Sequence, residues 1–171
     1  SKFIYGVDDA SLAEYLGQEL LNSGSTIAFA ESCTGGLASS MITDIPGSSE
    51  YLLGSVVTYS NMAKQKLVNV SAENLEKYGA VSEQVACEMA AGVKDLFGTT
   101  YGVGITGIAG PGGATEEKPV GLVYMAVADG NDVRCVKHLF GGTRTENKLR
   151  SALAAISMVI DKIKDGRNEE I

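Results

Sequence analysis

An α/β fold, with helices on both faces of a mixed or mostly parallel sheet, is predicted from three observations. Short β-branched or apolar runs alternate with amphipathic segments of helical period along almost the whole chain. Two glycine-bearing loops, residues 31–36 and 106–113, directly follow such runs, where ligands sit in sheets of this kind. The length, 171 residues, suits one domain that buries about 70% of its unfolded surface.

The elements follow in order. Ser1 to Gly6 read as a short lead-in, and the first seven residues stand apart from the domain proper, expected over 8–164. Asp8 or Asp9 can cap a helix whose apolar positions Leu12, Tyr15, Leu16, Leu20 and Leu21 recur at helical spacing, and Gly24 stops it. Thr26 to Ala30 is a buried strand. Leu37 to Ile42 opens a second helix after the 31–36 loop, and Pro46 to Ser49 is a loop. Leu52 to Tyr59 reads as the next strand. Asn61 can cap a helix carrying Met62, Lys64, Lys66 and Leu67. Ser71 caps another that ends near Gly79. Ser82 opens a longer helix with Val85, Met89, Val93 and Phe97 on one face. Thr100 to Thr106 is a third strand. Val120 to Ala128 and Val133 to Phe140 form a hairpin through Asp129-Gly130-Asn131-Asp132. The last helix runs from about Thr143 to Lys164, leaving a charged, frayed tail from 165 to 171.

Composition narrows the function. With 14 basic and 21 acidic residues the net charge is −7, against the basic footprint of a general nucleic-acid binder. A small anion held in a local pocket remains compatible with it. The three cysteines, Cys33, Cys87 and Cys135, are sparse and odd in number, so a disulfide framework is not expected and a cytoplasmic location is. His138 is the only histidine and no CxxC pair occurs, so a histidine-based metal site is not expected, and no motif points to a cofactor. No run reaches membrane-spanning length and no signal-peptide pattern opens the chain. Beginning with Ser1 rather than Met, it reads as a fragment.

Four constellations can carry chemistry. In Glu31-Ser32-Cys33-Thr34-Gly35-Gly36, between a buried strand and a helix, Ser32 can be a nucleophile. The glycines there can bring backbone amides to an anion. Ser32 or Thr34 can equally serve as a helix cap, and Cys33 as an inert buried thiol or a reactive one. In Thr58-Tyr59-Ser60-Asn61-Met62-Ala63-Lys64, Tyr59 and Lys64 are groups that burial could turn into a proton acceptor for a serine. The plain alternative is a solvated lysine and an edge tyrosine. Thr106 to Gly113 matches neither the dinucleotide nor the Walker pattern, yet can form a phosphate nest through Gly107 and Gly110, or a flexible loop. Arg144, entering the last helix, can grip a phosphate or carboxylate, or pair with Glu146 or Asp132. His138, in an alternating strand, reads as structural or exposed.

These segments occur in an order that is informative as a set. Ala30 to Gly36, Gly47-Ser48-Ser49, Val57 to Asn61 with Lys64, Gly79 to Glu83, Thr106 to Pro111 and Lys118 to Gly121 closely resemble the C-terminal domain of CinA proteins, from about Ser11 to Ile163. Ile4-Tyr5-Gly6 resembles the joint before that domain in two-domain members, which implies an N-terminal domain in the natural chain. The resemblance implies a three-layer α/β/α domain assembled as a homodimer or larger oligomer. It also implies metal-free hydrolysis of nicotinamide mononucleotide to nicotinic acid mononucleotide and ammonia. On that reading Ser32 is the nucleophile, Lys64 the base and Tyr59 a relay or positioning group. Amides of Cys33, Thr34, Gly35 and Gly36 and the Thr106 hydroxyl are then oxyanion or substrate contacts. Gly107, Gly110 and Arg144 are candidates for the phosphate. Lys148 stands where the family often has a second Arg, which weakens a bidentate role there. Two alternatives remain: a nucleotide-binding regulatory module without turnover, and a partner-binding role in DNA uptake. A pyrophosphatase activity would belong to the absent domain.

Overall fold

The computed structural model describes residues 9–169. Its elements are α1 (Asp9–Ser23), β1 (Ile27–Glu31), α2 (Leu37–Thr43), a single 3-10 turn (Ser48–Glu50), β2 (Leu52–Val57), α3 (Asn61–Val68), α4 (Ala72–Tyr78), α5 (Glu83–Phe97), β3 (Tyr101–Gly107), β4 (Leu122–Ala128), β5 (Val133–Leu139) and α6 (Arg144–Glu169). The five strands are ordered β2-β1-β3-β4-β5. β1 pairs in parallel with β2 and β3, and β3-β4 and β4-β5 are antiparallel. The predicted mixed sheet with helices on both sides is what forms.

The residue pattern of the strands assigns the layers. Phe29, Val103, Ile105, Val123, Met125 and Val127 point to one face and pack with α1, α2 and α6. Ala28, Ala30 and Ala126 point to the other, where α3, α4 and α5 lie. That second face is built from small residues because α5 crosses it at close range. A Cβ on Gly104 would stand 2.4 Å from the Ala86 carbonyl oxygen and 2.8 Å from the Ala90 nitrogen. Gly104→Ala must therefore push α5 off the sheet. We expect a loss of about 2–3 kcal/mol, read as a lower urea midpoint with an unchanged slope.

Several boundaries differ from the sequence expectation. The lead-in and the Asp8 cap lie outside the described residues. Ser60, not Asn61, caps α3, its hydroxyl accepting from the Ala63 amide at 3.0 Å. β2 stops at Val57, two residues before Tyr59. The segment from 165, expected to fray, stays helical through Glu169. Asp165 pairs with Arg134 at 2.8 Å and Arg167 with Glu19, so tertiary ion pairs extend a helix that local composition would have let go. The hairpin turn is an Asx turn: the Asp129 carboxylate accepts from the Asn131 and Asp132 amides at 2.8 and 3.0 Å.

Strand order makes the site. β1 is followed to one side by β2 and flanked on the other by β3, so the chain leaves their carboxyl ends in opposite directions and opens a crevice between them.

Candidate active site

A cavity of about 250 Å³ occupies that crevice. Ser32 and Cys33 line it from the end of β1, Tyr59 and Lys64 from the entry into α3, Thr106 to Gly110 from the end of β3, and Arg144 from the start of α6. With Ala80 and Val81 ahead of α5, five segments far apart in sequence thus meet at one crevice.

Ser32 continues the parallel ladder by one step, its amide donating to the Ile105 carbonyl at 2.9 Å. That bond fixes the backbone on which the hydroxyl is carried. Lys64 lies in the first turn of α3 and is 1% exposed. Its Nζ donates to Ser32 Oγ at 3.0 Å, to the Thr58 carbonyl at 2.8 Å and to the Tyr59 carbonyl at 3.4 Å. No carboxylate forms an ion pair with it among the described residues. Burial therefore pushes its pKa below the ordinary lysine value, only weakly opposed by Cys33. In the neutral amine two N–H bonds face the two carbonyls, and the lone pair then faces Ser32. The geometry suits a base that takes a proton from a serine hydroxyl.

The other expected residues divide into two groups. Arg144 lies at the cavity, donating through Nη1 to the Gly110 carbonyl at 2.7 Å and through Nη2 to the Tyr59 hydroxyl at 3.1 Å. Neither Glu146 nor Asp132 forms an ion pair with it. Gly107 and Gly110 line the cavity, and so does Thr106. The Thr106 hydroxyl, however, spends its single hydrogen on the Ala80 carbonyl at 2.8 Å, so it has none to donate to an oxyanion. Tyr59 reaches Lys64 through its main-chain carbonyl, while its phenol, in a residue 61% exposed, is held at the rim by Arg144. A proton relay through the phenol has no hydrogen bond to Lys64 or Ser32 to run along. Cys33 lines the cavity as a thiol, because burial pushes it up to about 12.

Thr34, Gly35 and Gly36 do not line the cavity. They form the turn behind it, with Gly35 and Gly36 at φ of 61° and 100°, backbone that side chains rarely adopt. The reason they turn away is Glu31, which sequence reasoning did not single out. Its carboxylate is wholly buried and accepts from Thr34 Oγ1 at 2.7 Å, Ala38 N at 2.8 Å, Ser39 N at 3.0 Å and Ser39 Oγ at 2.7 Å. The Ala38 and Ser39 amides at the start of α2 thus hold a carboxylate of the protein itself, while the amides expected to meet a ligand are those of Cys33 to Gly36. A charge at the end of an apolar strand was the available signal. Asn147 was also missed: it is 1% exposed, donates to the Ala109 and Gly142 carbonyls at 3.0 Å each and accepts from the Gly142 amide at 3.0 Å. It ties the glycine loop to the start of α6, and nothing local marks it. Lys148, one turn beyond Arg144, lies with its ammonium near Gly35. His138 stacks on Phe140 at 5.2 Å, away from the cavity.

A larger cavity, about 740 Å³, lies at the opposite end of the sheet near the β4-β5 turn. Its cations are already paired: Lys162 with Asp129 and Asp132, Arg134 with Asp165, Arg167 with Glu19. The smaller cavity is the one that holds a nucleophile and a base. Among the described residues no cluster of His, Cys, Asp and Glu could hold a metal ion, and no helix is long and apolar enough to cross a membrane.

Comparison with known proteins agrees with this architecture. A family model described as the CinA C-terminal domain matches residues 9–163. A CinA-like protein of Syntrophomonas wolfei is 48% identical over 163 residues, 95% of this chain and 39% of that protein. One of Nostoc is 53% identical over 141 residues, 82% of this chain and 33% of that protein. The chain thus spans less than two-fifths of the length of these relatives. Among solved structures, a competence/damage inducible protein of Agrobacterium tumefaciens superposes with a TM-score of 0.88 at 38% identity, over 93% of this chain and 98% of that one. A CinA superfamily protein of Escherichia coli gives 0.88 at 28% identity, over 94% of both.

Proposed function

Because the chain belongs to the family of CinA C-terminal domains, we propose that it hydrolyses the carboxamide of nicotinamide mononucleotide. The products are nicotinic acid mononucleotide and ammonia. The observation that carries this reading is the buried Lys64 amine on the Ser32 hydroxyl, at 3.0 Å with no carboxylate beside it.

The chemistry follows from that pair. Neutral Lys64 takes the Ser32 proton as Oγ attacks the carboxamide carbon. The Cys33 amide, next to Ser32 on the cavity wall, is the donor assigned to the developing oxyanion, since the Thr106 hydroxyl is committed elsewhere and the Gly35 amide donates to the Ser32 carbonyl. Collapse of the tetrahedral adduct expels ammonia, which leaves with the proton that Lys64 had taken. An ester on Ser32 remains. Water then attacks the ester, Lys64 again accepts a proton, and the acid and free Ser32 are released. Arg144 has guanidinium donors beyond the two engaged with Gly110 and Tyr59, and these suit the nucleotide's phosphate at the rim. Tyr59 holds Arg144 in place rather than moving a proton.

The test is ammonia release from nicotinamide mononucleotide in chelator-treated buffer, with nicotinic acid mononucleotide quantified alongside. Equal amounts of both products are expected. A nucleotide that raises the melting temperature without releasing ammonia would overturn turnover in favour of a binding module. A nucleotide that neither binds nor reacts would overturn the choice of substrate.

A further inference from the structure

Cys87 and Cys135, separated by 47 intervening residues, are brought together by the sheet. Gly104 on β3, Ala126 on β4 and Cys135 on β5 are register neighbours, forming one row across three strands. That row lies beneath α5: Gly104 all but touches the backbone at Ala86 and Ala90, and Ala126 packs on the same two alanines. Small residues in the first two places let the helix sit low over the row. The third place is Cys135, and Cys87 follows Ala86 on the helix. Both cysteines pack against the Ala86, Ala90, Ala126 and Ala128 cluster, both are half-buried, and both are free thiols. α5 packs on β5 as well as on β4, which sets the two thiols against the same cluster.

We propose that Cys87 and Cys135 are a disulfide-forming pair, oxidised by a low-molecular-weight disulfide such as oxidised glutathione and reopened by excess thiol. The Cys87 thiolate attacks one sulfur of the reagent and a mixed disulfide forms. The other sulfur leaves as a thiolate and takes up a proton. Cys135 then gives its proton to solvent and attacks the Cys87 sulfur, and the second reagent thiol departs. Two protein thiols are oxidised to one disulfide, and one reagent disulfide is reduced to two thiols.

The order of attack has a physical cause. The Cys135 S–H beside it holds Cys87 below the usual cysteine range, against burial and the nearby Glu83 and Glu88 carboxylates. The same contact, together with burial, pushes Cys135 up. Cys33, also pushed up by burial and far along the chain from either, takes no part. The bridge would tie α5, whose capping Ser82 directly follows the cavity-lining Ala80 and Val81, to the edge strand β5.

The experiment is denaturing mass spectrometry of the whole chain after incubation with oxidised glutathione. The expected product is lighter by two hydrogen atoms, with a peptide map joining Cys87 to Cys135 and full recovery under dithiothreitol. Cys135→Ser should instead stop at a glutathione adduct on Cys87. An unchanged mass, or a stable adduct on the parent chain, would overturn the proposal. The parent result stands alone should the variant fail to fold.

Discussion

Ser32→Ala and Lys64→Met should each lower ammonia release from nicotinamide mononucleotide by about 10³-fold or more, and the double variant should be scarcely worse than either. The two groups act as one unit: without the amine the hydroxyl has no acceptor, and without the hydroxyl the amine has no nucleophile to activate. The variants differ in stability. Lys64 is 1% exposed and its charged form is opposed by burial, so methionine, similar in shape and uncharged, removes a cost that the folded state carries. The melting temperature of Lys64→Met should hold or rise while activity disappears.

The pH dependence has a definite sign. Burial lowers the folded-state pKa of Lys64, so the unfolded chain binds more protons between that value and the ordinary one near 10.4. The cost to folding is full below the folded pKa and fades as pH rises toward the unfolded one. The stability advantage of Lys64→Met should therefore shrink with rising pH. Turnover in the parent should climb as pH approaches the lowered pKa, because only the neutral amine is a base. A rate that falls across that range, with the fold intact, would show that Lys64 is not the acceptor.

Glu31→Ala should destabilise the chain by about 3 kcal/mol or more, read as a lower urea midpoint. The carboxylate is wholly buried, and its removal leaves three donors without a partner, Thr34 Oγ1, Ala38 N and Ser39 N, while Ser39 Oγ keeps only the Gly36 carbonyl at 3.1 Å. Those donors belong to the turn and the first residues of α2 that directly follow Ser32. Activity should fall in the same variant with the nucleophile and base both present. Glu31→Gln tests the charge separately: the amide keeps one acceptor oxygen but sets an NH₂ against donors, so it should recover only part of the loss. A midpoint equal to the parent's for Glu31→Ala would show that water replaces the carboxylate at little cost.

Much of this was legible in the order of residues. Short apolar or β-branched runs and runs of helical period marked the five strands and six helices of the described residues, because apolar residues must face one layer or the other wherever they fall in the chain. Ser32, Lys64, Gly107, Gly110 and Arg144 were legible as candidates because each stands where an element ends or begins. Less legible was which partner each would choose. The Thr106 hydroxyl looked like a ligand for a substrate, yet it donates its hydrogen to the Ala80 carbonyl. Tyr59 looked like a partner for Lys64, yet its phenol is 85 residues in sequence from the arginine that holds it.

Residue types and their spacing were therefore enough to settle the helices on both faces of a mixed sheet, the net negative charge and the place of Ser32 at the end of β1. Those are properties of local periodicity and chemistry. Tertiary structure alone decided that Lys64 would be stripped of water against Ser32, that Glu31 would take the amides at the start of α2, and that Cys87 would meet Cys135. Each depends on hydrogen bonds and close approaches between segments the chain brings together only when the sheet closes. A hydroxyl, a carboxylate or a thiol carries no mark in sequence of which donor will reach it first.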